Sequence, residues 1–440
     1  MSGFVDASTL THDADGARLD LATALGATPQ GLVEHPVFFT GFLARPDVAA
    51  AGLLTVADVA MARYADAGLA KRLANLDPIV TASGDRLRFE SFSACNGVHA
   101  RFDLLADGIE AGAVAFGTTN VDVNQPLRSA LARVGRADLL HLAVGTDSLT
   151  ASSLAESHVE RKVGLPDRWV RGCAEVPVLT EAMRPVTTLK GAAVTRFLGE
   201  LPSVAPPGPT LHLVRVGAAV RTTAHAVPGA VPITGTSRLR AAGRIARFAT
   251  ELHVYAGPSD SSGWVFEVPG GRLTLVLSPG PFRGFSGEGG LLGLLVGPDA
   301  EALGERLLDH LAWTPHVDEA QLADASGLGR GEVRTGLAWL AACGRVGHDL
   351  AENARFHRDL PVDSARVLRR NPRLAGARRL VDAGAVRQDH DGWQVRGDHG
   401  TYIVTGDRCT CPWEVEHSGT RGPCKHVLAV AMVLDSAAPC

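Results

Sequence analysis

Two tight pairs of metal-binding side chains lie near the end of the 440-residue chain. Cys409-Thr410-Cys411 is followed, after twelve intervening residues, by Cys424-Lys425-His426. Three thiols and one imidazole suit tetrahedral Zn2+. Four protein ligands leave no open position, so the chemistry expected of Cys409, Cys411, Cys424 and His426 is structural, with one Zn2+ ion and no turnover. On an extended strand, side chains two apart face the same way, so both sulfurs of the first pair can reach one ion. Pro412 then ends any further pairing. His417, in the intervening loop, competes as a ligand but has no cysteine two residues before it, as His426 has in Cys424.

Such ligands need elements to hold them. Residues 393–396 and 402–404 read as two short strands joined by the turn-forming Gly397-Asp398-His399-Gly400. After the second pair, residues 427–434 form an apolar helical run, with Pro423 tolerated at its start. A thiolate near a helix N-terminus is favoured by the amide dipoles there. The loop 412–423 carries Gly419 and Gly422 and can close without a core of its own. Over residues 386–436 this arrangement resembles the SWIM zinc finger family, whose pattern is Cys-x-Cys, a variable gap, then Cys-x-His. The resemblance implies a DNA-binding or protein-binding unit. Between Val386 and Cys440 there are five Lys/Arg and seven Asp/Glu, a poor balance for an independent DNA-binder.

Length predicts two to four domains. A hydrophobic fraction of 45% allows most of the chain to bury a core. A net charge of −4 argues against a protein that coats nucleic acid along its length. Cys95, Cys173, Cys343 and Cys440 are scattered, so a reduced compartment fits better than a disulfide framework. No charged-then-apolar leader opens the chain, and the apolar run 291–296 is too short to span a bilayer. A soluble, cytoplasmic protein is expected. Richness in Ala, Gly and Arg with scarce Lys suggests a bacterial, high-GC origin.

The expected fold class is α+β and multidomain. Residues 1–201 read as an N-terminal α/β domain, with α+β as the alternative; helix is expected across 49–74, strands near 87–93, 98–105, 113–117 and 139–144, and a helix near 126–134. The Pro/Gly cluster 202–209 reads as a linker. Residues 210–298 form a β-rich middle domain with a helix near 238–248. Residues 300–361 predict three helices, the second N-capped by Asp318, then two strands. That order resembles a winged helix-turn-helix, whose third helix is the recognition position and offers Arg330 and Arg334. Its neighbours Asp318, Glu319, Asp324, Glu332, Asp349 and Glu352 make a poor phosphate-binding face. The basic helical connector 362–385 carries Arg366, Arg369, Arg370, Arg373, Arg378 and Arg379, which could meet phosphates or an acidic protein partner.

Catalytic patterns are sparse. His357-Arg358-Asp359-Leu360 imitates a kinase catalytic loop, but Ser364 stands where Asn is required. Gly287-Glu288-Gly289-Gly290 lacks the Gly-Lys-Ser/Thr of a phosphate loop. Cys95 with His99 could form a nucleophile pair, and the polar run 118–124 follows a strand, where α/β ligand sites lie. Glu156, His158 and Glu160 follow. The plainer reading is a buried thiol and a turn held by Asn and Thr side chains.

Three readings result. The first is a non-enzymatic protein-interaction adaptor. The chain is similar to bacterial SWIM zinc finger proteins, and that resemblance implies work with a MoxR-type AAA+ ATPase and VWA-domain system. The second is a DNA-binding regulator using the winged helix and the arginine-rich connector. The third makes the N-terminal domain an enzyme built on Cys95 and His99.

Overall fold

Alternating polar and apolar residues in three strands set the architecture, because each strand presents opposite faces to two different cores. The computed structural model describes residues 9–13, 16–21, 26–28, 31–33, 37–64, 78–121, 123–144, 167–217, 219–280, 284–285, 290–297, 299–311, 313–360, 371–390, 392–417 and 421–437.

The largest sheet has ten strands: β1 (Gly26–Thr28), β2 (Gly31–Val33), β3 (Ile79–Ser83), β4 (Leu87–Phe92), β5 (Val98–Leu104), β6 (Phe116–Asn120), β7 (Arg184–Lys190), β8 (Glu251–Ala256), β9 (Ser262–Val268) and β10 (Gly271–Leu277). Their spatial order is β7-β8-β9-β10-β5-β4-β3-β6-β1-β2. Every neighbouring pair is antiparallel. Of the two classes expected for the first 200 residues, α/β and α+β, this antiparallel pairing fits α+β. Within β3–β5 and within β8–β10 consecutive strands return through short turns, and no crossover helix is needed there. Helices and sheets are mixed, as α+β implies. The only parallel pair among the described residues, Gly16–Leu21 with Leu140–Val144, lies in a separate five-stranded sheet.

The boundary expected at 202–209 does not divide this sheet. β10 pairs with β5 from Gly271↔Leu104 to Leu277↔Val98, so strands of the expected middle domain complete the sheet begun by the N-terminal residues. The helix expected over 238–248 is present as consecutive helical turns, α-helical over Thr236–Leu239, 3-10 over Arg240–Ala242 and α-helical again over Gly243–Ala246.

One face of β4, β5 and β10 presents Leu87, Phe89, Ala100, Phe102, Leu273 and Leu275, all buried in one apolar core. Helix α1 (Pro46–Met61) covers this face. At Gly52 a Cβ would stand 2.5 Å from the Phe102 ring, so only glycine lets the ring seat against the helix.

The opposite face carries Arg88, Glu90, His99, Arg101, Asp103 and Arg272, and it too is buried. Helix α2 (Asp167–Glu181) and residues 346–358 lie over it. Arg101 donates to Asp103 at 3.0 Å and to the His348 carbonyl at 2.8 Å, and it reaches Asp349 at 2.9 Å. Arg272 lies 3.3 Å from the other Asp349 oxygen and 3.1 Å from Glu352. Arg358 donates to Glu90. The Phe356 ring is inserted among these charges, 4.0 Å from the Arg88 guanidinium carbon. This balanced ionic layer joins the sheet to the following segment.

That segment holds α3 (Ala300–Leu308), α4 (Glu319–Ser326), α5 (Arg330–Ala342), β11 (Val346–Asp349) and β12 (Ala354–His357). Asp318 caps α4, its carboxylate accepting from the Ala320 and Gln321 amides. Gly327, at φ 67°, ends that helix in the left-handed region. β11 and β12 pair antiparallel, and Val317 bridges to Arg355 at the side of the hairpin.

Helix α6 (Pro372–Asp382) follows, then β13 (Val386–Asp389), β14 (Gly392–Gly397), β15 (Gly400–Thr405) and β16 (Arg408–Cys409) in one antiparallel sheet. A short helix, Pro412–His417, and α7 (Lys425–Ala437) complete the described chain. Leu374, Ala377, Val395, Val404, Leu428 and Ala429 share one core with Trp339 of α5 and Leu291 and Leu292. The C-terminal unit is thus packed onto α5. No helix among the described residues is long and apolar enough to cross a membrane.

Candidate metal centre

Local structure brings the two ligand pairs together. β14 and β15 form a hairpin with Gly397 opposite Gly400, and Cys409 on β16 pairs with Val404. The strand stops at Cys409, and Cys411 lies at the entry to the helix starting at Pro412. The expectation of one extended strand for both cysteines is therefore corrected. Thr410 carries the same register one residue further, its amide donating to the Ile403 carbonyl while its hydroxyl accepts from the Ile403 amide, each at 3.0 Å, before Cys411 enters the helix. The loop expected over 412–423 also contains that short helix, whose Trp413 needs packing partners.

On the other side, Cys424 precedes α7. Its carbonyl accepts from the Leu428 amide, and its sulfur accepts from the Val427 amide at 3.5 Å. The sulfur therefore meets the positive end of the helix.

Cys409, Cys411, Cys424 and His426 are all buried, and their ligand atoms lie within 4.8 Å of one another. His426 turns Nδ1 inward, 3.7 Å from Cys409 Sγ and 3.9 Å from Cys424 Sγ. A tetrahedral zinc with ordinary Zn–S and Zn–N bonds needs ligand–ligand edges of roughly 3.5–3.8 Å. The donor set and its spacing fit one structural Zn2+. The Tyr402 ring packs on the imidazole at 4.5 Å. Behind the imidazole, a Cβ on Gly397 would come within 3.0 Å of Nε2. These two contacts fix the ring's orientation, the usual work of groups behind a metal ligand.

A hydrogen bond from the Cys409 thiol, with help from His426 and the Val427 amide, brings the Cys424 pKa down to about 4. The same bond drives Cys409 up. His417 is excluded from the cluster; its ring packs edge-on against Trp413 at 4.2 Å.

Residues 394–435 match the SWIM zinc finger family. This segment is a SWIM zinc finger. The match covers the finger and no other part of the chain. A search of curated protein sequences returned no match. Among solved structures, the chain is similar to the proliferating cellular nuclear antigen of Entamoeba histolytica, at 11% identity and a TM-score of 0.36, covering 56% of this chain and 99% of that one. It is similar also to the PCNA2–PCNA3 complex of Sulfolobus tokodaii, at 11% identity and a TM-score of 0.36, covering 55% and 99%. Scores this low carry no argument about fold or role.

The other sequence-derived candidates are dispersed. Arg330 is exposed at the start of α5. Arg334, also exposed, bonds Glu319 at 3.3 Å. Arg373 donates to the Pro423 carbonyl at 2.7 Å and lies 4.4 Å over the Trp413 ring, so it braces the SWIM finger loop. Arg421 lies over the same ring at 5.1 Å. Arg378 is half-buried and Arg379 exposed on α6. Arg366, Arg369 and Arg370 lie outside the described residues, as do Glu156, His158 and Glu160.

Cys95 and His99 have separate partners. The Cys95 sulfur lies 3.4 Å from the Ser93 hydroxyl in the turn between β4 and β5, whereas His99 Nε2 meets Glu90 at 3.2 Å within the ionic layer. Burial lowers the His99 pKa. Of the polar run, Thr118 and Thr119 are buried in β6, and Asn124 caps a helix by accepting from the Leu127 amide. The ionic layer itself went unread in the sequence. Its signal was the alternation of Arg88 with Glu90 and of His99, Arg101 and Asp103 in strands whose other face is apolar.

Proposed function

We propose that this protein is a non-enzymatic, zinc-dependent interaction adaptor. The observation that carries the reading is the closed Cys3His set: four buried ligand residues leave no position at which substrate or water could bind the ion. The ion's role is then to hold the finger's hairpin, loop and helix as one surface.

Residues 300–360 run in the order of a winged helix-turn-helix, and we read them as a protein-docking module. Helix α5, in the recognition position, buries Val333 and every residue from Gly336 to Ala342. Its hairpin is equally committed: Val346–Asp349 is buried against the sheet. Arg334 and Arg355 are both engaged by carboxylates, at Glu319 and Glu181. This favours a protein partner over a phosphate backbone. The partner class we propose is a MoxR-type AAA+ ATPase with a VWA-domain protein, in the cytoplasm. It rests on the resemblance of the finger and its surroundings.

The competing reading, a DNA-binding regulator, would rest on Arg330, Arg334, Arg378 and Arg379 and demands steep salt dependence. An affinity capture with the zinc-loaded protein from its own cell extract, with and without nuclease, separates the two. Nuclease-resistant recovery of an ATPase is the expected result. Partners lost on nuclease treatment, with nucleic acid recovered, would overturn the adaptor reading.

A further inference from the structure

Far in sequence from the zinc site, a cleft of about 500 Å³ opens between the end of α1 and the turns 240–247. Its lining includes Asp58, Ala62, Tyr64, Arg240, Arg244 and Arg247. The three arginines stand four and three apart on helical turns, which sets them along one side.

The charges do not balance. Both oxygens of Asp58 are taken, one by Arg128 and the other by Arg244 at 3.3 Å. Among the described residues no carboxylate pairs with Arg240 or Arg247. Arg240 is fixed from behind, donating to the Leu201 carbonyl at 2.7 Å and the Leu198 carbonyl at 3.3 Å. Arg247 lies 4.6 Å over the Phe248 ring. Two positioned, uncompensated guanidinium groups at one cleft match a dianion, and the planar fork suits phosphate oxygens. The volume is that of a small-molecule site. Ala62, Ala241 and Tyr64 offer less polar wall for an organic portion.

We propose that this cleft binds the phosphate end of a small phosphorylated molecule, of the nucleoside diphosphate class. The site is independent of the zinc finger and of the adaptor reading. Asp58 acts as an internal competitor for the ligand's place, because it holds Arg244 and Arg128.

The test is calorimetric titration of the full-length, zinc-loaded protein with pyrophosphate and with adenosine diphosphate at low ionic strength. One site per chain is expected, with the nucleotide binding more tightly. Arg247→Gln should weaken binding at least about tenfold, the cost of one charge-assisted contact. Arg247→Lys, which keeps the charge and loses the fork, should fall between. Asp58→Asn should tighten binding, a gain that mere structural damage would not produce. Absence of binding by either probe at millimolar concentration, or equal affinity in Arg247→Gln, would overturn the proposal. So would an oligonucleotide that binds through Arg247 while neither small probe does, since the cleft would then hold a polymer backbone.

Discussion

Replacing Asp349 by Asn removes one charge from the ionic layer and little volume. The carboxylate is fully buried. It lies 2.9 Å from Arg101 and 3.3 Å from Arg272, and it accepts from the Ala351 amide at 3.0 Å. Those arginines hold its pKa well below the usual carboxylate range against the cost of burial. At an effective dielectric constant near 20, one such pair at a charge separation of about 4 Å is worth about 4 kcal/mol. Removing one partner of a buried pair strands the other, which costs about 3–5 kcal/mol. Arg101 keeps Asp103, and Arg272 keeps Glu352, so the lower end, about 3 kcal/mol, is expected for Asp349→Asn. Chemical denaturation of the zinc-loaded protein, read by tryptophan fluorescence, gives the change in midpoint. Hydrogen exchange should localise the loss to β4, β5, β10 and β11. A cost below about 1 kcal/mol for Asp349→Asn, comparable to an exposed pair, would refute the assignment of this layer as the joint between sheet and hairpin.

Two further outcomes follow from sites described above. Chelation of the protein, or Cys424→Ala or His426→Ala, should release one zinc and make residues 372–437 protease-sensitive while the ten-stranded sheet persists, because metal binding in small modules supplies about 10 kcal/mol of folding free energy; unchanged proteolysis after metal removal would refute a structural ion. Burial holds the pKa of both His348 and His357 at about 4, against an ordinary value of 6.5. Between those values the unfolded chain binds more protons, so stability should be complete above pH 6.5 and fall as pH drops toward 4, by up to about 3 kcal/mol per histidine. A flat denaturation midpoint between pH 7 and pH 4.5 would count against neutral, buried histidines.

The SWIM finger was the most legible part of the chain, because its four ligands, their spacing and the apolar run after them sit within a few dozen residues. The helix cap at Asp318 was legible for the same reason: its chemistry is local. The domain boundary at 202–209 was misread. A Pro/Gly cluster marks where a chain turns, and it carries no information on whether the strands beyond return to the same sheet. β10 does return, to pair with β5. The helix expected at 238–248 was legible, though not its tightening to 3-10 over Arg240–Ala242 nor the buried Arg238 guanidinium, which donates to the Thr234 and Ser278 carbonyls. The ionic layer was hidden because charged residues alternating in a strand ordinarily face water. Only the arrival of Asp349 and Phe356, far along the chain, turns that face into an interior. The arginine cleft was hidden likewise, since its walls come from α1 and from residues nearly two hundred positions later.

The ionic layer also bears on synthesis. Arg101 and Asp349 are separated by 248 positions, so the sheet must emerge from the ribosome long before the hairpin part of its cover exists. During that interval β4 and β5 present Arg88, Glu90, Arg101 and Asp103 to water, where ions are well solvated and strand-to-strand sticking is discouraged. A hydrophobic face at the same place would hold the finished molecule as well, but it would leave the nascent chain with an adhesive surface for as long as translation of the next seventy residues beyond β10 takes. A charged interior lets the unfinished sheet wait in solution for the segment that closes it.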